Sequence, residues 1–461
     1  MKYRLRKSVL LTIIGAAVLA LDAVVAVSLV GTHSRGATRS AADPYAATST
    51  GTAGAGTGAA GPASAGPSPA GLPAPPRTGE VTPAFYGRFK GSLPSASSFF
   101  PIAVWQQQPT RIRNGKPNAT NYRNIGINTF AGLWNFPNDG ASGANLAAVK
   151  ASGMYAFGGG DEGSAGDART IAGMAGNDAW AGFELGDEQD MSTNPSHVTP
   201  AQVSAQAAAL HRTAPSRLVY NNFGKAFSLF PWVGAHDETA GLRQYCEQVD
   251  VASSDYYAAT DGYEPAATHT PNYYGRAIDH VRQLCGPGKP AWGFIETGHP
   301  FADQPGTWPP YSANGVISAA TIEQGVWSML AHGANGIVYF AHDFFTGRFT
   351  EDGLFDHPPA VAAVTRIDAA IRAIAPILNA QRQPKGLLAV NADATLRADA
   401  SGWYVVAAEN SGHRRTCTFT VAAAANRAVQ AVGENRTVRA NANGTWSDPF
   451  AAWGHHVYKI V

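Results

Sequence analysis

The run WAGFELGDE (residues 180–188) decides the fold, because it is one beat of a pattern that returns eight times. Its companions are FFPIAVW (99–105), GINTFAGLW (126–134), GMYAFGG (153–159), RLVYNNF (217–223), VDVASSDYY (249–257), PAWGFIET (290–297) and NGIVYFAH (335–342). The first four begin 27 residues apart, and the later intervals run from 32 to 45. Each gap has room for one helix and two loops. Continuous apolar strands alternating with helical stretches mean parallel strands buried under helices.

Helix signals fall in the gaps. Thr199-Pro200-Ala201-Gln202 supplies an N-cap, a proline in the first turn and a glutamine three residues after the cap. Thr270-Pro271 opens a second helix. Ser318 caps a third, in which Ile322, Val326, Met329 and Leu330 share a face and Gly333 provides the stop. Eight strand–helix repeats predict a (β/α)8 barrel over residues 83–380. No G-x-G-x-x-G follows a first strand and no G-x-x-x-x-G-K-[ST] occurs, which removes the main support for a nucleotide-binding fold.

After the barrel the rhythm shortens to GLLAVNA, ATLRADA, WYVVAAENS, CTFTVAA, RAVQAVG, RTVRANA and HHVYKIV, punctuated by Gly433-Glu434-Asn435 and Asn443-Gly444. Residues 381–461 therefore read as a small antiparallel β-sandwich-like domain.

The other end of the chain is different. MKYRLRK (1–7) precedes an apolar stretch from Ser8 to Val30 broken only by Asp22, so residues 1–36 read as a signal peptide or a membrane anchor. All but six of residues 37–80 are Ala, Gly, Pro, Ser or Thr. Such a segment cannot bury enough apolar area to offset its ordering entropy, and 37–82 reads as a disordered linker. Together these features place the protein outside the cell or at its surface.

Composition narrows the partners. The 461 residues carry 34 Lys+Arg against 33 Asp+Glu, a formal charge of +1, which gives little field to attract nucleic acid. No membrane contact is expected beyond the N-terminal segment, and the chain is expected to be a monomer. Neither H-E-x-x-H nor C-x-x-C occurs, so neither a metal nor another cofactor is expected. Cys246 and Cys285 precede strands six and seven and should meet as a disulfide at the bottom rim, with Cys417 left free.

In such a barrel, chemistry gathers where strands end at their C-termini. Those positions hold Asp161 and Glu162 after strand three, then Asp187, Glu188 and Asp190 after strand four. Asn222 lies on strand five, Asp255 on strand six, Glu296 on strand seven, and His342 and Asp343 on strand eight. Trp105, Trp134, Tyr256, Tyr257, Trp292 and Trp308 supply flat faces nearby. Carboxylates among aromatics suit a sugar chain, whose hydroxyls take hydrogen bonds while its C–H faces stack. Cleaving a glycosidic bond needs an acid for the leaving oxygen and a second carboxylate to attack the anomeric carbon or activate water. Glu188 and Glu296 are the pair expected to do so.

W-x-G-F-E-L-G-D-E-Q at strand four and K-P-A-W-G-F-I-E-T at strand seven resemble the retaining (β/α)8 glycoside hydrolases of clan A, the group of cellulases, β-galactosidases and β-mannanases. The resemblance spans about residues 85–380. It implies Glu188 as general acid/base, Glu296 as nucleophile, and Tyr256 or Tyr257 as the hydroxyl that bonds the nucleophile. It also implies an oligo- or polysaccharide substrate, in the cell wall or outside it. Asp187 departs from the pattern, because that group carries Asn there to bond the sugar 2-hydroxyl. A transglycosidase using the same glutamates and an inactive sugar-binding barrel are the rival expectations.

Overall fold

The structure is a computed structural model. It describes residues 72–461 apart from 134–141, 160–173, 175, 192–197, 233, 236, 302–308 and 345–348. The expected N-terminal segment (1–36) and most of the linker lie outside the described residues. Within the described residues no helix is long and apolar enough to cross a membrane.

All eight apolar runs form strands: β1 (Ile102–Gln107), β2 (Thr129–Leu133), β3 (Tyr155–Phe157), β4 (Trp180–Asp187), β5 (Leu218–Phe223), β6 (Val251–Ser254), β7 (Ala291–Glu296) and β8 (Gly336–Phe340). They pair in parallel in chain order, and β8 pairs with β1 to close the barrel. Helices α1 (Asn118–Ile125), α2 (Ser142–Ala151), α3 (Pro200–Thr213), α4 (Thr239–Tyr245), α5 (Asn272–Cys285), α6 (Ala319–Ala331) and α7 (Pro358–Ala373) follow strands around the outside. The Thr199 cap closes as a reciprocal box: its backbone N–H donates to Gln202 Oε1 at 2.8 Å, while its hydroxyl accepts from the Gln202 N–H. Ser318 accepts from the Thr321 N–H at 3.1 Å.

Strand alternation sorts the barrel's side chains into two cores. Val104, Phe130, Phe183, Val219, Ile295 and Ile337 pack outward against the helices. Trp105, Phe157, Tyr220, Trp292, Phe294 and Val338 point inward and fill the centre. Ring centroids there stand 5.3 Å apart for Trp105–Phe294, 5.2 Å for Phe157–Tyr220 and 5.6 Å for Tyr220–Trp292. The bottom is stoppered by the short helix Pro83–Arg88, whose Tyr86 hydroxyl accepts from Trp292 Nε1 at 3.3 Å. Large apolar rings are what a barrel of this size needs to exclude water from its axis.

The expected disulfide is present. Cys246 and Cys285, at the C-terminal ends of α4 and α5, are bonded with Cα atoms 5.1 Å apart, and Cys417 is free and buried.

The C-terminal residues form two antiparallel sheets. One has six strands, in the order Gln381–Gln383, Ala392–Asp399, Gly402–Glu409, His455–Ile460, Ala428–Ala431, Arg436–Arg439. The other has three: Leu387–Val390, Arg415–Val421 and Thr445–Phe450. Phe419, Trp446 and Tyr458 pack between them. The barrel's outer core continues into this unit through Val406 and Val457. Trp327 of α6 stacks on His455 at 3.8 Å, and His332 bonds both Asp279 (2.6 Å) and Asp393 (3.0 Å).

The linker boundary needs a correction. Composition gives residues 73–82 nothing to pack against, yet they strap the barrel to the β-domain. Trp403 Nε1 donates to Pro73 O at 2.8 Å, Thr78 Oγ1 to Arg382 O at 3.0 Å, and the Val81 N–H to Pro287 O at 3.0 Å. Glu80 is buried and pairs with Arg282 and Arg382.

Candidate active site

Strand β4 delivers Glu188 to the C-terminal face in an unusual backbone state. The β4–β5 pairing shifts register between Glu184 and Asp187, and Glu188 then has φ 47°. A non-glycine residue there costs on the order of 1 kcal/mol and persists only where its surroundings hold it. Here the Glu188 N–H donates to Asn222 O at 3.2 Å, and the Met191 N–H to Glu188 O at 3.0 Å. Gly224 matters for the same reason: a Cβ there would lie 2.6 Å from Met191 Cγ and 3.3 Å from Glu188 Cγ.

Three other carboxylates surround Glu188. Asp187 Oδ1 accepts from Asn222 Nδ2 at 2.9 Å. Asp190 Oδ1 accepts from the Gly224 N–H at 2.7 Å, tying the loop after β4 to the loop after β5. Asp255, two residues beyond the inward Ser253 of β6, accepts from the Tyr257 hydroxyl through Oδ2 at 3.0 Å. Its own N–H donates to Phe223 O at 2.9 Å, and the Ser228 hydroxyl donates to its carbonyl at 2.8 Å. Desolvation and the charges of Asp255, Asp187 and Asp190 push Glu188 well above the usual carboxylate range, against a smaller opposing pull from Lys225. Asp255 is raised too, by burial and Asp187, while the hydrogen bond from Tyr257 favours its ionised form. Burial raises Asp190 to about 7, opposed by its bond from the Gly224 N–H. Lys225 Nζ is itself engaged by Asp261 at 2.8 Å and Glu264 at 3.0 Å.

Glu296 is the last residue of β7. It is 0% exposed, and both oxygens are occupied: Oε1 accepts from Thr260 Oγ1 at 3.0 Å, Oε2 from the Tyr274 hydroxyl of α5 at 2.8 Å. Burial lifts it to about 7, and the two hydroxyls pull it back. The tyrosine bonding it is therefore Tyr274, not Tyr256 or Tyr257. Tyr256 instead bonds Thr268 at 2.6 Å, and Tyr257 serves Asp255.

Two other expectations fail. Trp105 (2% exposed) and Trp292 (0%) are no sugar platforms: they lie in the barrel's inner core and offer a ligand no face. Inward positions along a strand include the packed centre as well as the open end, and these two belong to the centre. His342 does reach the C-terminal end of β8, where Nε2 bonds Gln106 O at 3.0 Å and burial lowers its pKa to about 4, leaving it neutral. Trp134, Asp161, Glu162 and Trp308 lie outside the described residues. The sequence reading misses Glu184, buried below the mouth with Gln106 Nε2 at 3.4 Å, and Tyr274. A glutamate among apolar neighbours one turn of the alternation below Gly186 is a usable signal for the first. Nothing in the sequence marks the second. Among the described residues no group of three or more potential ligands is arranged to hold a metal.

No family model matches the chain, and comparison with the curated proteins finds no match. Solved structures do resemble it. AmyP, solved as a point variant in complex with maltotriose, matches with a TM-score of 0.50 at 9% identity, over 82% of this chain and 98% of that one. An Anoxybacillus α-amylase gives 0.49 at 9% identity (79% and 98%), and a GH30 endoxylanase from Clostridium papyrosolvens C71 gives 0.42 at 13% (78% and 96%). At such identities the likeness speaks for fold alone. The chain is a (β/α)8 barrel followed by an antiparallel β-domain.

Proposed function

We propose that this protein is an exported glycoside hydrolase that cleaves β-glycosidic bonds of an extracellular or cell-wall polysaccharide by double displacement, with Glu188 as general acid and then general base. The observation that carries the reading is the state of Glu188. It stands at a strained turn at the C-terminal end of β4, and burial with three flanking carboxylates favours its protonated form. A leaving glycosidic oxygen requires such a proton donor at neutral pH. The β preference rests on the resemblance of the strand-four and strand-seven words. Export rests on residues 1–36, and a saccharide substrate on the barrel architecture together with this acidic mouth.

The test is a reducing-end assay of the full-length protein on plant and bacterial glycans, run beside a binding assay on the same panel. Cleavage that disappears in Glu188→Ala supports the proposal. Binding without new reducing ends points to the inactive barrel, and transfer of sugar to added acceptor in preference to water points to the transglycosidase.

A further inference from the structure

We propose that Asp255, rather than Glu296, is the carboxylate that works opposite Glu188 and attacks the anomeric carbon. The assignment rests on the glycosidase reading and names the second reacting group of that site. Its basis is the way each carboxylate is held.

Glu296 has no exposed surface, and Thr260 and Tyr274 take both of its oxygens. Neither oxygen is presented to a sugar, because the side chain has no exposed surface. Asp255 is 6% exposed, yet its Oδ1 has no hydrogen-bond partner among the described residues. An unpaired carboxylate oxygen in a buried position is costly unless something else occupies it part of the time. The other oxygen is fixed by Tyr257, whose ring is pinned by Phe340 at 4.8 Å. The backbone is fixed at Phe223 O and the Ser228 hydroxyl. One oxygen held by a hydroxyl and one buried without a partner leave Asp255 with an acceptor site for a ligand to fill.

Asn222 links the parts. Its amide nitrogen bonds Asp187 while its carbonyl accepts from Ser253 Oγ at 2.8 Å, so β4, β5 and β6 are locked in register beneath the three acids. Tyr257 donates to Asp255 Oδ2 and so favours negative charge on that carboxylate. In the first step Asp255 Oδ1 bonds to the anomeric carbon, the carbon–oxygen bond to the leaving group breaks, and the Glu188 proton passes to the departing oxygen. In the second, water attacks the same carbon, Glu188 takes its proton, and the ester to Asp255 breaks to restore the carboxylate. Tyr257 is a positioning residue, donating to the oxygen that does not react.

The experiment uses the full-length protein and 2-deoxy-2-fluoro glycosides with dinitrophenol leaving groups, which accumulate the covalent intermediate. Peptide mapping after inactivation should find the sugar on the peptide bearing Asp255, and Asp255→Gly should lose turnover but regain it with azide, giving product of inverted configuration. Glu296→Gln should keep turnover, with any loss appearing as a lower Tm. Tyr257→Phe should lower kcat with little change in KM. A label on Glu296 or Asp187, or azide rescue with inversion in a Glu296→Gly variant, overturns the assignment. So does wild-type activity in Asp255→Asn of native circular dichroism. Should the wild-type protein cleave and trap none of the glycosides, the glycosidase reading falls and takes this assignment with it.

Discussion

At the scale of single residues, Glu188 is defined by the charges around it. Asp187, Asp190, Asp255 and Lys225 face it, and only the last favours its ionised form. A carboxyl raised by its folded surroundings is protonated below its folded pKa, so activity that needs the acid falls as pH rises through that value. Asp190→Asn removes one of the raising charges and keeps an oxygen for the Gly224 N–H. The alkaline limb of kcat/KM against pH should therefore move to lower pH, and an unmoved limb would mean Glu188 is not the titrating group. How much is legible at this scale depends on the residue. Glu188, Asp187 and Asp255 can be placed at strand ends because each follows an apolar run. Trp105 and Trp292 cannot be placed, because an inward position low in the barrel and one at the open end look alike in a string of letters. Glu296 shows the same limit: its strand and height are right, but its hydroxyl partners come from Thr260 and Tyr274, which no spacing announces.

At the scale of elements, two joints can be tested. The Cys246–Cys285 bridge ties the ends of α4 and α5 over a separation of 39 residues. In the loop-entropy account it stabilises by about 4 kcal/mol. Cys246→Ser with Cys285→Ser should lower the denaturant midpoint and raise m, because the denatured chain loses its crosslink and exposes more surface; an unchanged midpoint would show the bridge to be idle. The second joint is His332. Burial lowers its pKa, but Asp279 and Asp393 outweigh this and lift it to about 10. A histidine raised in the folded state contributes stability that is complete below its unfolded value, about 6.5, and is lost as pH climbs toward 10. Asp279 is half exposed, so His332→Gln should cost only about 1–3 kcal/mol near neutral pH. The difference from wild type should shrink by pH 10, and a constant difference would refute the linkage. Strands are legible at this scale because apolar runs end abruptly at turn residues. Two strands of the β-domain escape this: Gln381–Gln383 has no apolar residue, and Thr445–Phe450 contains Pro449 at the edge of its sheet, where the missing N–H is tolerated but the pattern is broken.

At the scale of the molecule, the barrel's outer core continues into the β-domain, and the chain entering from the linker is part of the seal. Glu80 neutralises Arg282 and Arg382 beside Arg397, which burial and those two arginines push down to about 9. Composition hides this, since one glutamate in a Pro-rich tract looks like a solvated charge. A protein beginning at residue 73 should keep the full-length Tm, whereas one beginning at residue 83, or Glu80→Gln, should lose about 3–5 kcal/mol by leaving buried cations unpaired. Equal melting of the two truncations would contradict the role given to the strap. The central claim is that the acidic mouth breaks glycosidic bonds with the Glu188 proton. Its most direct measurement compares Glu188→Ala on a natural glycan and on an aryl glycoside with an acidic phenol leaving group. The account predicts a loss of about 10²–10⁴-fold on the glycan, with glycosylation retained on the aryl glycoside and azide restoring turnover with the starting configuration kept. Undiminished glycan cleavage by Glu188→Ala would contradict it.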